Sequence, residues 1–309
     1  MRVVFMGTPD FAVGTLEAII EAGHEVVGVV TQPDKPKGRG KTMQYTPVKE
    51  VALAHEIPVF QPVKVKEESA VEKIRAWKPD VMVVVAFGQI LSKELLDLPK
   101  YGCINVHASL LPKYRGSAPI QWAIIDGEPE SGVTTMQMDE GVDTGDMLEQ
   151  VVVPLSADET GGSLFGKLAQ EGAKLLVHTL EQVEAGSLQP VKQEHTKATH
   201  AKMLDKQLGN IDFSKPAVEI ERLIRGLNPW PSAYTKLQGK TLKIWKAAVV
   251  ESESKGACGT IVSVTKHDLF VQTGEGLLQL QEVQLEGKKR MDIDAFLRGV
   301  TVEKGTVLG

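Results

Sequence analysis

The seven residues Val81–Phe87, VMVVVAF, form the longest apolar run in the chain and do most to restrict its fold. A membrane span takes about 20 apolar residues, so this run is far too short to be one. An unbroken apolar stretch of that length between helical stretches reads as a strand buried on both faces, as in a parallel sheet covered by helices. The flanking sequence fits. Val3–Met6, Val26–Thr31, Val59-Phe60 and Cys103–Val106 read as further strands. Asp10–Ala22, Pro47–His55, Glu67–Trp77 and Pro119–Asp126 read as the helices between them. Gly23 is placed to end the first helix, and Pro47 to begin the second. A Pro/Gly/Lys-rich loop fills Gln32–Tyr45. Thr134–Met138 and Leu148–Val153 look like a late strand pair, with a helical stretch over Glu159–Gly186 after it.

Between Gln189 and Gln207 the sequence turns polar, with Lys192, Lys197, Lys202 and Lys206 interspersed, and reads as a linker. Beyond it come one helix, Ala217–Gly226, and five short strands: Tyr234–Leu237, Thr241–Val250, Gly259–Thr265, Leu269–Gln272 and Leu277–Val283. Short strands at near-regular spacing suggest a small barrel, and five suit an OB-like one, a surface that often meets oligonucleotides. A chain of 309 residues is long for one ordinary domain. The expected fold is therefore α/β in residues 1–189, Rossmann-like and doubly wound with a mostly parallel sheet. Residues 190–207 form the expected linker, and residues 208–309 a smaller OB-like β-barrel.

Net charge is −5, against a generic nucleic-acid binder. The charge is uneven: from Leu208 onward 14 Lys/Arg face 12 Asp/Glu, and the remainder holds 21 against 28. A slightly basic second part beside an acidic first part allows a polyanion to touch one region only. The two cysteines, Cys103 and Cys258, lie far apart with no CxxC spacing, as reduced thiols would. The opening MRVVFMGTPDF has no signal-peptide pattern, so a cytoplasmic location is expected.

Gly7-Thr8-Pro9-Asp10 stands where a dinucleotide-binding protein places GxGxxG. That fingerprint is absent, and Pro9 removes a backbone N–H that a pyrophosphate would use, so no dinucleotide is expected. Asn105 and His107 are two residues apart at a strand end, so both side chains point the same way, at the edge where open α/β sheets bind ligands. An amide beside an imidazole can polarise a carbonyl and hold the oxyanion formed on attack; a histidine capping the next turn explains the spacing equally well. Asp143 lies in the acidic stretch Met138–Asp146. The order of acids is not that of an EF-hand, and no His or Cys lies nearby for zinc, so no metal is expected. A solvated acidic turn and a carboxylate delivered to His107 both remain open on spacing alone.

The stretch directly after His107 decides between them. The pattern Asn105-x-His107-x-Ser109-Leu110-Leu111-Pro112, then Tyr114-Arg115-Gly116, then Gly141-Val142-Asp143-Thr144-Gly145, resembles the active-site signature of the folate-dependent formyltransferase family. Met6–Phe11, Gln32-Pro33-Asp34 and Asn228-Pro229-Trp230-Pro231 extend the resemblance over nearly the whole chain. It is nearest to the members that formylate the amino group of methionyl-tRNA. The resemblance implies that Asn105, His107 and Asp143 form the catalytic set. It implies a folate pocket lined by Phe87, Gly88, Gln89, Ile90, Leu91, Ser109, Leu110, Leu111, Pro112 and Asp139. The implied formyl donor is 10-formyltetrahydrofolate, the implied acceptor initiator methionyl-tRNA, and the protein is expected to be a monomer without metal or membrane.

Lys35-Pro36-Lys37-Gly38-Arg39-Gly40-Lys41 carries four cations on a backbone able to track a phosphate chain. A disordered surface loop is the usual fate of such a segment. The resemblance favours RNA, since the family's tRNA enzymes carry an inserted basic loop at the acceptor stem. Lys35, Lys37, Arg39 and Lys41 are then the candidates for tRNA, with Arg39 able to read a base edge bidentately. Lys206 is a second candidate: it matches the last lysine of a family pattern, Ala-x-Lys-Leu-x-Lys, in which Met203 here replaces the earlier lysine. Trp230 is expected to pack at a seam between domains rather than to stack on a base. Two other functions compete: a formyltransferase for an amino sugar nucleotide or other small amine, and a non-catalytic RNA-binding module. A small substrate would not require the basic loop, and an inert module would not require the intact signature.

Overall fold

The computed structural model describes residues 1–37 and 42–309, and the chain divides into two compact units. The first comprises residues 1–119, 130–154 and 165–201; the second comprises residues 120–129, 155–164 and 202–309.

A seven-stranded sheet organises the first unit. Its spatial order is Met147–Pro154, Glu130–Gln137, Cys103–His107, Val81–Val85, Arg2–Gly7, Glu25–Val30, Val59–Phe60. The five strands from Cys103–His107 to Val59–Phe60 run parallel. Glu130–Gln137 and Met147–Pro154 add antiparallel. All five residues of Val81–Val85 are buried, as the apolar run requires. Alternation sends Val4, Met6, Met82, Val84 and Cys103 to one face, where they cluster with Val71 and Ile74 of the helix Glu68–Ala76. Each such buried aliphatic side chain contributes about 1.5–3 kcal/mol of apolar burial. The helix Asp10–Glu21 packs against the Arg2–Gly7 strand.

The strand order reverses between Arg2–Gly7 and Val81–Val85. At such a switch point the loops leaving the two carboxyl ends part and open a crevice. Here those loops begin at Thr8 and Ala86, and Thr8 Oγ1 ties them by donating to Phe87 O at 3.1 Å. Within the segment Gln32–Tyr45, expected to be a loop, Lys35–Lys37 and Thr42–Gln44 pair as short antiparallel strands.

In the second unit, Ala233–Leu237, Lys240–Val250, Leu277–Leu285, Leu269–Gln272 and Ile261–Val264 form an antiparallel sheet in that order, with Met291–Asp292 added beside Leu277–Leu285. Gln238 and Gly239, at φ of 49° and 78°, make the two-residue turn of the first hairpin. The last residues bridge the two outer strands: Gly305 N donates to Ile261 O and Gly309 N to Lys236 O. The sheet thereby curls into a barrel-like form around Leu242, Ile244, Leu278, Leu280 and Val283, with Ile220 and Ile224 of the helix Ala217–Gly226. Trp230 is 57% exposed. The turn in which Ser232 N bonds Leu227 O buries Ser232 and leaves the indole outside.

Candidate active site

Asn105 and His107 end the Cys103–His107 strand on one face, opposite Met136 and Thr134 of the antiparallel neighbour. Asn105 Nδ2 donates to Val84 O across the parallel pair at 3.0 Å. Its Oδ1 is buried without a hydrogen-bond partner among the described residues. A buried orphan acceptor costs about 1–3 kcal/mol, which an arriving N–H would recover. The second Nδ2 hydrogen likewise has no partner among the described residues, so the amide offers one donor and one acceptor side by side.

His107 is 7% exposed, and its Nε2 lies 2.9 Å from Tyr114 O. A carbonyl only accepts, so that nitrogen carries the hydrogen and the ring orientation is fixed. The other nitrogen, Nδ1, stands 3.7 Å from Asp143 Oδ1, longer than a direct hydrogen bond, so a hydroxyl or water beside the pair could bond both. Asp143 is held by its other oxygen, Oδ2, which accepts from Gly116 N at 2.8 Å. Gly116 has φ +108°, and a Cβ there would come within 2.8 Å of Ala201 O, so glycine is what admits this approach. The structure thus brings Asn105, His107 and Asp143 to one end of the sheet, with the imidazole oriented by a backbone carbonyl rather than by the carboxylate.

Three non-glycine residues near this edge adopt left-handed backbone: Ala86 at φ 47°, Tyr114 at 59° and Asp143 at 55°. Such conformations cost of order 1–3 kcal/mol each and persist only where surrounding contacts enforce them. For Tyr114 and Asp143 the contacts come from residues 191–201, the stretch expected to be a linker. Tyr114 N donates to Thr199 Oγ1 at 2.8 Å, Arg115 N to Thr199 O at 2.9 Å, and Ser117 N to Ala201 O at 3.0 Å. Arg115 and Gly116 pair in parallel with His200 and Ala201. Gln193, 5% exposed, donates from Nε2 to Asp143 O at 2.9 Å and to Gly145 O at 2.7 Å. Its Oε1 accepts from Arg115 Nε at 3.0 Å and Nη2 at 2.7 Å. Gln193 and Thr199 escaped the sequence reading; a polar, lysine-bearing stretch gives no periodic signal of burial, and only the isolated Gln and Thr hint at hydrogen-bonding use.

The segments expected to line a folate pocket flank the same edge. Phe87 is buried, its carbonyl taken by Thr8 Oγ1 and by Gln32 Nε2 at 3.2 Å. Gly88 has φ +83°. Gln89 uses its amide on the backbone, accepting from Val65 N at 2.7 Å and donating to Pro62 O at 3.1 Å. Ile90 is 76% exposed and Leu91 buried, so an apolar side chain stands free at the switch point. Ser109 Oγ donates to Lys113 O at 2.7 Å, and Lys113 N to Leu110 O at 3.2 Å. Leu111 N donates to Thr134 Oγ1 at 3.1 Å, and Pro112 O accepts from Thr199 N at 3.4 Å. Asp139 Oδ1 is spent within its own turn, on Gly141 N at 3.0 Å and Thr144 Oγ1 at 2.6 Å.

Of the basic candidates, Lys35 is exposed on its short strand, and the Lys37 backbone pairs with Thr42. Arg39 and Lys41 lie outside the described residues. Lys206 is exposed in the second unit. No helix among the described residues is long and apolar enough to cross a membrane.

The formyl transferase family model matches residues 1–180, and the model of the formyl transferase C-terminal domain matches residues 203–301. A methionyl-tRNA formyltransferase of Agathobacter rectalis is 65% identical over 306 residues, covering 99% of each chain. Among solved structures, the N-formyltransferase from Helicobacter canadensis, in complex with folinic acid and dTDP-3-aminofucose, superposes with a TM-score of 0.69. It is 19% identical, and the match covers 94% of this chain and 100% of that one. HypX from Aquifex aeolicus, in complex with tetrahydrofolic acid, gives 0.62 at 18% identity over 99% of this chain and 50% of that one. At such identities the two structures speak for the fold alone. The signature that gathers Asn105, His107 and Asp143 at one sheet edge, the two family models and the full-length relative agree: the chain belongs to the formyltransferase family.

Proposed function

We propose that this protein transfers the formyl group of 10-formyltetrahydrofolate to the α-amino group of initiator methionyl-tRNA. The observation that carries the reading is the unsatisfied, buried Asn105 amide oxygen on the same strand face as His107, whose imidazole faces Asp143, in a chain 65% identical over its length to a relative of that name.

The amine must be neutral to attack the formyl carbon. Asn105 Oδ1 accepts an N–H of that amine, and the free Nδ2 hydrogen meets the formyl oxygen, where negative charge gathers. One preorganised donor of this kind is worth about 10²–10³ in rate. As the new C–N bond forms, the nitrogen sheds a proton and the departing folate nitrogen takes one up. His107 and Asp143, 3.7 Å apart, span the gap through which that proton moves, one facing the other across room for a shared hydroxyl. The rest is positioning. Ile90 and the Ser109–Pro112 turn offer the folate ring an apolar wall and backbone groups at the switch point.

Lys35, Lys37, Arg39 and Lys41 contact the acceptor arm in this reading, with Lys206 and the barrel-like second unit supplying further cationic surface. The unpaired thiols suit a reducing, cytoplasmic setting. An amino sugar nucleotide as acceptor has support from fold likenesses at 19% and 21% identity, which speak for the fold alone. The test supplies 10-formyltetrahydrofolate with methionyl-tRNA, with uncharged tRNA plus free methionine, or with an amino sugar nucleotide. Consumption only with methionyl-tRNA is expected; turnover on the sugar nucleotide overturns the assignment.

A further inference from the structure

We propose that Gln193 is a positioning residue for the transfer, holding the Asp143 turn against Arg115 and so setting where the Asp143 carboxylate stands relative to His107. The inference rests on the reading that Asp143 serves the reacting groups.

The Gln193 amide has no freedom left. Its two hydrogens go to the carbonyls of Asp143 and Gly145, and its oxygen receives two hydrogens from one edge of the Arg115 guanidinium. Arg115 sits between Tyr114, whose carbonyl meets His107 Nε2, and Gly116, whose N–H holds Asp143 Oδ2. One side-chain amide therefore joins the backbone of Asp143 to the tripeptide whose backbone groups bond both the His107 imidazole and the Asp143 carboxylate. Asp143 itself is in left-handed backbone at φ 55°. A bond to its own carbonyl is the sort of contact that keeps such a residue from relaxing to an ordinary conformation. Arg115, 5% exposed, is in turn fixed by Gln193 and by His195 Nδ1 at 3.1 Å, with no carboxylate among its described partners. A neutral amide fits this place because it must accept from a cation on one side and donate to two carbonyls on the other. A carboxylate serves the first task and fails the second.

That difference supplies the test. Gln193→Ala removes the whole link, whereas Gln193→Glu keeps acceptors for Arg115 and loses both donors. Both variants are expected to lower kcat by about 10–10²-fold, the scale of an ångström-level misplacement. KM for the formyl folate and for methionyl-tRNA should stay close to parental. Parental kcat in Gln193→Glu, or a loss confined to the two KM values, overturns the proposal. Should Gln193→Ala lose its cooperative melt, Gln193→Glu carries the test. Coupling is read by placing Gln193→Glu on Asp143→Ala: little further loss is expected if Gln193 acts through Asp143, and a fully additive loss refutes it. Parental turnover in Asp143→Ala alone is a separate result, which removes the role of Asp143 and the proposal with it.

Discussion

Thr134 offers the sharpest test of how the Ser109–Pro112 turn is held. The residue is fully buried, and its hydroxyl makes three contacts at once. It donates to Ser109 O at 2.7 Å, accepts from Leu111 N at 3.1 Å, and accepts from Gln150 Nε2 at 2.9 Å. Valine has nearly the same shape and lacks the hydroxyl, so Thr134→Val removes the bonds without opening a cavity. Gln150 keeps Leu111 O at 3.0 Å as a partner, but Ser109 O and Leu111 N lose the partner that Thr134 gave them in a region 1–3% exposed. Two stranded backbone groups at about 1–3 kcal/mol each, partly offset by valine's easier burial, put the loss near 2–4 kcal/mol. For a unit of this size that lowers the melting temperature by about 5–15 °C. Differential scanning calorimetry measures the shift, and steady-state kinetics should show KM rising for the formyl folate and not for methionyl-tRNA. A melt within about 2 °C of the parent, with folate KM unchanged, would refute the claim that this hydroxyl organises the turn.

Replacing the side chains proposed to move the proton tests that chemistry: His107→Ala and Asp143→Ala should each cut kcat by at least about 10²-fold with the far-UV spectrum intact, and near-normal turnover removes that residue from the mechanism. Arg39→Ala should raise KM for methionyl-tRNA and leave folate KM alone; the reverse pattern assigns the basic segment to the wrong substrate. Burial pushes the Cys103 thiol up to about 12, so at pH 8 only about one part in ten thousand is thiolate, whereas Cys258 is exposed. Iodoacetamide treatment read by mass spectrometry should therefore label Cys258 in the native protein and Cys103 only after denaturation; early labelling of Cys103 contradicts its burial.

The elements readable from sequence are those whose burial keeps to a simple period. Val81–Val85, Ala217–Gly226 and Leu269–Gln272 each declare themselves by an apolar run or stripe, and the last two have the predicted bounds. Short elements hide. The helix Lys93–Leu96 spans one turn and is marked only by Ser92, whose hydroxyl accepts from Leu95 N at 3.4 Å. The helix Ile293–Gly299 buries just Ile293 and Phe296, an i, i+3 pair that could have signalled it. The arms Lys35–Lys37 and Thr42–Gln44 pair as strands inside a sequence whose Pro and Gly advertise a loop.

The site divides along the same physical line. Asn105 and His107 are visible because the two-residue repeat of a strand aims them together. The partners that make them usable are not, because they act through backbone groups far away in sequence. Tyr114 lends a carbonyl to His107, and Thr199, 85 residues on, fixes the Tyr114 amide. Gln193 reaches back 50 residues to the Asp143 carbonyl. A hydrogen bond of that kind asks of its side chain only polarity and reach, properties a lysine-rich linker also has, so composition cannot tell the two apart. What distinguishes them is burial: a glutamine 5% exposed with every donor and acceptor used carries a structural role that an open linker never requires. The placement of the Asp143 turn beside His107, and with it the proposed catalytic geometry, is therefore set partly by a polar strand of chain that looks, residue by residue, like a connection between domains.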